Sequence, residues 1–228
     1  MGKAIEEIAL QRGHEISLKI SSANKAELTK ENLQRCDIAI EFTNPENAIN
    51  NLHTCIDTQV PVICGSTGWV ANEEEIKNYC TEKKGALLFA SNFSIGVNIF
   101  FAINQQLAAK MNAHPQYNVS MQEVHHTQKL DAPSGTAVTL AEGILQHYPN
   151  KTNWVNHTTN NPTELGIESL RIDPAPGTHS ISYTSDIDSI EIIHTAHSRI
   201  GFASGAVVAA EFIFGKQGIF TMKDVLGL

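Results

Sequence analysis

The run Asp37-Ile-Ala-Ile-Glu-Phe42 predicts a buried β-strand, and Val60-Pro-Val-Ile-Cys64 predicts a second one. Between the two, Thr43-Asn-Pro45 is a turn that leads into a predicted helix over residues 46–58. A strand, a helix and a strand in succession form a parallel pair joined by a right-handed crossover. This stretch therefore places the chain in the α/β class with a parallel sheet.

The sequence on both sides continues the alternation of helix and strand. Helices are predicted over residues 3–11, ending at Gly13, and over residues 73–82. Further strands are predicted over residues 15–20 and 86–90. The first part of the chain is therefore expected to form one parallel sheet.

Small and polar residues follow the predicted strands, where turns lead out of the sheet. Ligands of parallel sheets bind beyond the carboxyl ends of the strands. The residues predicted to form the rim of a cofactor site are Phe42, Thr43, Gly65, Ser66, Thr67, Ala90, Ser91, Asn92 and Phe93. Glycine, serine and asparagine are also ordinary turn formers, so a turn without a ligand is the alternative.

The second part of the chain begins with a long predicted helix over residues 97–111 and later becomes rich in strands. Strands are predicted over residues 166–172, 179–184 and 189–197, which indicates an open antiparallel or mixed sheet and an oligomerisation surface. A helix over residues 205–214 follows, and the last residues are expected to return to the first domain. A pocket is expected in the cleft between the two domains.

The segment from Glu123 to Ala137 carries the residues of greatest chemical interest. Its pattern predicts a strand that ends at His125 and His126, a loop that carries Lys129, and a helix that begins near Ser134. The start of a helix has unpaired backbone N–H groups and suits a carboxylate. An imidazole, a cation and an anion site on one short segment indicate an enzyme that acts on a small carboxylated substrate.

Two other functions fit this segment less well. Adjacent histidines on a strand point to opposite faces, and no third ligand stands at the spacing of a metal site, so no metal is predicted. The four cysteines lack CxxC pairing. Ser134 could be a nucleophile, but Pro-Ser-Gly-Thr is not the Gly-x-Ser-x-Gly motif, and an N-cap role explains this serine. The residues favour acid–base chemistry.

Composition argues against several classes of partner. The net charge of −8 and the isoelectric point near 5.6 argue against nucleic acid and anionic membranes as main partners. The start of the sequence has no apolar signal-peptide region, and the longest apolar run, residues 200–215, is too short to span a bilayer. Four scattered cysteines without a secretory signal predict reduced thiols, so a cytoplasmic protein is expected.

Several motifs, spread over nearly the whole sequence, resemble those of one enzyme family. They are Glu41-Phe-Thr43 with Pro45, Gly65-Ser-Thr-Gly68, Ala90-Ser-Asn-Phe-Ser-Ile-Gly-Val-Asn98, His125-His126 with Lys129, Asp131-Ala-Pro-Ser-Gly-Thr-Ala137, and Ser198-Arg199 with Phe202-Ala-Ser-Gly-Ala206. By these motifs the chain resembles the 4-hydroxy-tetrahydrodipicolinate reductase (dihydrodipicolinate reductase) family of lysine and diaminopimelate biosynthesis. The histidine, lysine and Asp-Ala-Pro-Ser-Gly-Thr run is highly specific, whereas Gly-Ser-Thr-Gly alone is a weak signal.

The resemblance implies a Rossmann-like cofactor domain over residues 1–94 and 205–228, and an α+β substrate-binding and oligomerisation domain over residues 95–204. It implies reduction of a small cyclic dicarboxylate by NADH or NADPH, usually in a homotetramer. Residues 65–67 and 90–93 would hold the cofactor. The roles implied for the signature residues are proton donor or acceptor for His125, proton donor for Lys129, and substrate binding for His126, Gly135 and Thr136, with Ser134 nearby.

The first residues depart from the family pattern. A dinucleotide-binding domain opens with a strand and a Gly-x-Gly-x-x-Gly turn, of which only the last glycine has a counterpart here, Gly2. The sequence therefore predicts a shortened chain that binds its cofactor weakly. Two alternatives to an active reductase stay open. One is a homologue that is deficient in cofactor binding, and the other is a two-domain nicotinamide enzyme similar to aspartate dehydrogenase. Residues 21–25 contain no acidic ribose ligand, so either NADH or NADPH is expected.

Overall fold

The computed structural model describes the backbone of residues 1–228 and every side chain except that of Val70. The helices are α1 (Gly2–Gln11), α2 (Lys30–Leu33), α3 (Pro45–Asp57), α4 (Glu73–Glu82), α5 (Ile95–Met111), α6 (Gly135–Leu145), α7 (Ile200–Ile213) and α8 (Met222–Leu226). Two short 3-10 helices cover Lys25–Glu27 and Val70–Asn72. The strands are β1 (Ala39–Glu41), β2 (Val62–Cys64), β3 (Ala86–Phe89), β4 (Asn118–His125), β5 (Asn153–Val155), β6 (Glu164–Arg171), β7 (Gly177–Thr184), β8 (Ser189–Ala196) and β9 (Gly218–Phe220).

The chain divides into two compact units. Unit 1 comprises Met1–Ile95 and Ile200–Leu228, and unit 2 comprises Gly96–Arg199. Unit 1 holds a four-stranded sheet in the order β1-β2-β3-β9, in which all neighbouring strands are parallel. Because β9 pairs with β3, the expected return of the last residues to the first sheet is confirmed.

Both faces of the unit 1 sheet are buried. Ile63 and Leu88 belong to one apolar core, to which α1 and α7 contribute. Val62 and Leu87, their neighbours along the strands, belong to a second core with α3 and α4. A parallel sheet with two covered faces is the arrangement of α/β proteins. The predicted Rossmann-like α/β class is therefore confirmed.

Unit 2 holds a five-stranded mixed sheet in the order β5-β6-β4-β7-β8. The central strand β4 is parallel to β6 and antiparallel to β7. Apolar residues of α5 and α6, such as Phe100 and Leu140, share a buried core with Met121 and Ile181 of the sheet. Along β4 and β7, buried residues alternate with more exposed ones, so the other face of the sheet is open. This is the open mixed sheet that the sequence predicts.

Side-chain caps define the start of two helices that matter for the candidate site. Asn44 accepts a hydrogen bond from the N–H of Asn47 at the start of α3, where Pro45 occupies the first turn. Ser134 accepts a hydrogen bond from the N–H of Ala137 at the start of α6. The predicted N-cap role of Ser134 is confirmed.

Some elements differ from the sequence predictions. Residues 15–20 form no strand, because a strand needs a paired neighbour and none lies beside this segment in the described chain. Helix α7 begins at Ile200 rather than at Gly205. Strand β5 and helix α2 were not predicted, since three and four residues are too few to show a periodic pattern. Within the described chain, no helix combines the length and apolar character that crossing a membrane requires.

Gly205 is a point of close contact inside unit 1. A Cβ atom at this position would lie 1.7 Å from the carbonyl oxygen of Phe93, so a larger residue does not fit without a shift of the backbone. Gly201, in the same helix, has Ser94 Oγ 3.7 Å from its Cβ position, which is an ordinary contact. Glycine in a sequence usually suggests a helix boundary. Here it allows α7 to continue past the turn that follows β3.

We predict that Gly205→Ala lowers the free energy of unfolding by about 1–3 kcal/mol or more, because the added methyl group forces α7 away from Phe93. Gly201→Ala is the matched control and is expected to be neutral or stabilising by up to about 1 kcal/mol, since alanine favours helix. Urea unfolding of both variants measures the difference. Equal stability of the two variants would contradict the close contact.

Candidate active site

The turns after β1, β2 and β3 lie at one edge of the unit 1 sheet. The strand register aligns Glu41 with Cys64, and Cys64 with Phe89. Each turn therefore leaves its strand at the same level. The predicted cofactor rim is built from these three turns.

The ring of Phe42, in the turn after β1, lies against residues of the other two turns. Its ring centroid lies 5.3 Å from that of Phe93, and a Cβ atom on Gly65 would lie 2.2 Å from Phe42 Cε1. Gly65 is thus required for the ring to approach the second turn. Phe93 is 1% exposed and belongs to the apolar core, and its predicted contact with the cofactor stays a prediction.

The buried carboxylate of Glu41 holds the first turn. It accepts hydrogen bonds from the Thr43 N–H at 3.1 Å and from the Thr43 hydroxyl, and from Asn51 Nδ2 at 3.3 Å. Glu41 is 5% exposed, while Thr43 itself is exposed. Glu41, the last residue of β1, therefore positions Thr43. This role of Glu41 was not predicted from the sequence.

The second turn contains a buried hydroxyl that lacks a protein partner. Ser66 Oγ is buried and has no hydrogen bond within the described structure. Such groups in native proteins are rare and usually bind water, an ion or a ligand. Thr67 and Ser91 are exposed, and Asn92 is half-buried. The residues at this edge therefore fit a polar ligand such as a nucleotide.

In unit 2, strand β4 carries charged and titratable residues on its covered face. Glu123 and His125 alternate along the strand with the same phase as apolar, buried Val119 and Met121. The strand register places His179 of β7 opposite Glu123, and Arg171 of β6 opposite His125. The sheet thus gathers polar side chains at one end of an apolar face.

Glu123 is the most enclosed member of this group, with no exposed surface. Both of its carboxylate oxygens accept a hydrogen bond from the Ser134 N–H at 3.1 Å, and Oε1 also accepts one from Arg171 Nη2 at 3.2 Å. Burial raises the pKa of this carboxyl, but hydrogen bonding by His179 and Ser134 lowers it further than burial raises it. Glu123 is therefore ionised in the folded protein.

His125 lies next to this carboxylate at the end of β4. Its Nδ1 is 3.4 Å from Glu123 Oε2, and its ring centroid is 5.1 Å from that of His179. Burial lowers the pKa of His125 to about 4, and the attraction of Glu123 offsets only part of this effect. At neutral pH the ring is therefore neutral and can accept a proton.

Glu123 is also bonded to Ser134, the residue that caps the start of α6. Ser134 is 3% exposed, and its Oγ lies 3.1 Å from His179 Nε2 in addition to capping the helix. The N–H and the hydroxyl of Ser134 both have protein partners, and its predicted contact with substrate stays a prediction. Gly135 is exposed and Thr136 half-buried at the first two positions of the helix.

The loop between β4 and α6 carries Lys129. Its Nζ lies 2.7 and 2.9 Å from the two carboxylate oxygens of Asp131, and this ion pair lowers the pKa of Asp131. The loop carbonyls of the same two residues accept hydrogen bonds from Arg171, at 3.3 Å for Lys129 and 2.6 Å for Asp131. His126 is half-buried at the start of this loop. The predicted signature residues are thus gathered at one end of the unit 2 sheet.

Three of these side chains are also metal-ligand types. Glu123, His125 and His179 place one ligand atom each within 4.8 Å of one another. The sequence spacing did not reveal this group, because His179 comes from a distant strand. The same carboxylate is engaged by the Arg171 guanidinium, and a cation beside a ligand disfavours a second cation. The expected absence of a metal remains a prediction.

Sequence reasoning identified His125 and Lys129 but gave no role to Glu123, Arg171 or His179. One signal was present, since Glu123 occupies a position in β4 where the alternation calls for an apolar residue. No sequence signal pointed to Arg171 or His179, because the order of strands in a mixed sheet does not follow from periodicity.

Two family models match the chain. The model described as "Dihydrodipicolinate reductase, N-terminus" matches residues 1–93, and "Dihydrodipicolinate reductase, C-terminus" matches residues 96–226. The 4-hydroxy-tetrahydrodipicolinate reductase of Christiangramia forsetii is 46% identical over 226 residues, which cover 99% of this chain and 93% of that protein. That of Neisseria meningitidis serogroup B (strain ATCC BAA-335 / MC58) is 35% identical over 230 residues, with 98% and 84% coverage.

A solved structure shares the fold. The dipicolinate-bound dihydrodipicolinate reductase from Paenisporosarcina sp. TG-14 matches with a TM-score of 0.75 and 20% identity, over 96% of this chain and 92% of that chain. A Rossmann-like unit joined to a mixed-sheet unit, in a chain that matches named reductases over nearly its whole length, defines a nicotinamide-dependent oxidoreductase of the α/β class. Within that class, the chain belongs to the dihydrodipicolinate reductase family.

We predict that the stability of the protein falls as the pH drops from about 6.5 to about 4, because His125 binds a proton readily only when unfolded. Its pKa is lower in the folded state, so the stabilisation is fully present above the unfolded pKa and is lost in this window. One histidine contributes a slope of at most about 1.4 kcal/mol per pH unit. Urea unfolding against pH should show a smaller slope in His125→Gln.

The control for this experiment is His114→Gln, at an exposed position of unit 2. Its pH profile is expected to follow that of the wild type. If His125→Gln also kept the wild-type slope, the imidazole would not be held neutral by burial.

Proposed function

We propose that this chain reduces 4-hydroxy-tetrahydrodipicolinate to tetrahydrodipicolinate with NADH or NADPH, the activity for which its relatives are named. Replacing a hydroxyl group by hydrogen takes up one hydride and one proton and releases water. The observation that carries the proposal is the His125, Lys129 and α6 cluster in a chain that matches the family over nearly its whole length. This reaction belongs to lysine and diaminopimelate biosynthesis.

Residues 1–94 and 205–228 bind the cofactor in this proposal, and residues 95–204 bind the substrate. The nicotinamide, when bound, supplies the hydride. Phe42, Thr43, residues 65–67 and residues 90–93 hold the cofactor at the edge of the unit 1 sheet. Support comes from the common level of the three turns and from the buried, unpartnered hydroxyl of Ser66.

Lys129 donates the proton to the substrate, and His125 accepts or relays a proton in its neutral form. An ammonium group stabilises negative charge that develops in the transition state. The low pKa of His125 supports the division of roles, because a neutral imidazole is present at the pH where amino-acid metabolism operates. Lys129 must leave Asp131 to reach a substrate carboxylate or the reacting atoms.

The start of α6 binds a substrate carboxylate through the backbone N–H groups of Gly135 and Thr136 and the Thr136 hydroxyl. The first N–H groups of a helix have no partner within the helix, and they attract anions. His126 contributes to the same substrate site. The exposure of Gly135 at the first helical position supports this assignment.

The proposed activity is tested by following nicotinamide absorbance after mixing the purified chain with freshly generated substrate and either NADH or NADPH. Oxidation of the cofactor that depends on both substrate and chain supports the proposal. The preference for NADH or NADPH is expected to depend on residues 21–25. Within this segment Lys25 Nζ donates to Asn47 Oδ1, which favours neither cofactor, so both are tested. No oxidation with either cofactor would reject the function.

Lys129→Ala is expected to lower turnover about 10²-fold or more, because the proton donor and its positive charge are removed together. His125→Ala should lower turnover similarly. Lys110→Ala, at an exposed lysine of α5, is the control and should behave as the wild type. Steady-state kinetics measure all three, and near wild-type turnover in Lys129→Ala would refute the assignment of the donor.

Thr136→Val should raise the Michaelis constant more than it lowers turnover, because the hydroxyl binds a carboxylate present in both ground and transition states. Thr139→Val removes a hydroxyl from the same helix, where it donates to the Gly135 carbonyl, and is expected to leave the Michaelis constant unchanged. Matching Michaelis constants for the two variants would show that the Thr136 hydroxyl is no substrate ligand.

The proposal includes a cytoplasmic homotetramer assembled through the open face of the unit 2 sheet. A cavity of about 240 Å³ on this face is lined by polar residues that include Ser120, Gln122 and Ser182. Ser120 and Gln122 alternate along β4 with Glu123 and His125, so the catalytic cluster and the assembly surface lie on opposite faces of this strand. This face is open in unit 2, and the family resemblance implies a homotetramer.

A further inference from the structure

We propose that Glu123 and Arg171 form a buried clamp that positions the proton donor Lys129 relative to the carboxylate-binding start of α6. The inference rests on the proposed function and deepens it. Neither residue touches substrate in this proposal. They are positioning residues, and they act through the backbone that carries the reacting groups.

The carboxylate of Glu123 anchors one side of the clamp. It is fully buried and ionised, and a buried charge persists only where hydrogen bonds replace the lost water. Two of those bonds come from the Ser134 N–H, one to each oxygen. Ser134 is the cap of α6, so the carboxylate fixes the point at which the helix begins.

The guanidinium of Arg171 anchors the other side. Its Nε donates to the Lys129 carbonyl, Nη1 to the Leu170 carbonyl, and Nη2 both to the Asp131 carbonyl and to Glu123. Four of its five N–H groups thus have protein partners. Arg171 is therefore committed to the protein and is not the group that receives the substrate carboxylate.

Together the two side chains connect the loop to the helix start. Arg171 holds the backbone on both sides of Leu130, whose side chain is 98% exposed and supplies no packing. Glu123 holds Ser134, and Oε1 of the same carboxylate accepts from Arg171. Without this bridge, the chain of residues 130–133 alone would set the position of Lys129 relative to Ser134. A shift of about 1 Å between reacting groups can cost about 10²-fold in rate.

Lysine is a poor substitute for Arg171. Its ammonium group is a single point, whereas the planar guanidinium reaches several carbonyl groups in fixed directions. Arg171→Lys keeps the charge beside Glu123 and removes the fork. This substitution therefore separates positioning of the loop from neutralisation of the buried carboxylate.

The test is a double-mutant cycle with turnover as the readout, using the wild type, Arg171→Lys, Lys129→Ala and the double variant. We expect Arg171→Lys to lower turnover about tenfold or more in the wild-type background and less than about threefold when Lys129 is absent. A purely structural role would give the same loss in both backgrounds. Arg12→Lys is the control, since Arg12 forms an exposed two-bond pair with Glu211 in unit 1.

Each outcome decides the question. If the wild type is active and the loss caused by Arg171→Lys does not depend on Lys129, this inference is overturned and the proposed function stands. An inactive wild type with both cofactors overturns the proposed function and the inference with it. Should Arg171→Lys fail to fold, Glu123→Gln replaces it in the same cycle, because the amide keeps the shape of the side chain.

A metal role for Glu123 predicts a different result. If Glu123, His125 and His179 held a catalytic metal ion, a chelator would abolish turnover and added Zn²⁺ would restore it. The clamp predicts that turnover of the wild type is unchanged by chelator treatment. Chelator-sensitive turnover restored by Zn²⁺ would overturn the clamp.

Discussion

The arrangement of unit 2 depends on one buried negative charge, the carboxylate of Glu123. Removing such a charge from water costs several kcal/mol, and the surrounding donors must offset that cost. Ser134 and Arg171 donate hydrogen bonds to it, and His125 and His179 lie within 4 Å of the carboxylate. The requirement to satisfy one carboxylate thereby brings a helix start, a loop and two strands to the same point.

Burial and the surrounding charges together determine the protonation state of His125. His125 stays neutral because burial outweighs the attraction of Glu123, and two nearby cations, Lys129 and Arg171, oppose a further positive charge. In the proposed function, the neutral imidazole is the proton acceptor and Lys129 is the proton donor. Unit 1 uses a related device, since the buried Glu41 carboxylate fixes Thr43 at the edge of its sheet.

The parts that could be predicted from sequence are those encoded by local patterns. The βαβ stretch over residues 37–64 and the helix start at Ser134 follow from periodicity and capping, and both are present. Gly205 was misread as a helix start, because its need for close contact with Phe93 is visible only in three dimensions. Residues 15–20 show that alternation alone makes no strand without a neighbour.

The candidate site divides in the same way. His125 and Lys129 share a short segment, so their types and spacing expose them, and the family resemblance supplies their expected roles. Arg171 and His179 reach the cluster from β6 and β7, which are adjacent to β4 only through the order of the mixed sheet. Residues that are far apart in the sequence but adjacent in the sheet cannot be paired from local sequence patterns, so Arg171 and His179 could not be predicted.

The most direct measurement of this account is a crystal structure of the chain with pyridine-2,6-dicarboxylate and a nicotinamide cofactor. We expect one carboxylate of the ligand at the backbone N–H groups of Gly135 and Thr136, with Lys129 Nζ turned from Asp131 to the ligand. Arg171 should remain bound to Glu123. A ligand carboxylate held by Arg171, with its bond to Glu123 broken, would contradict the account.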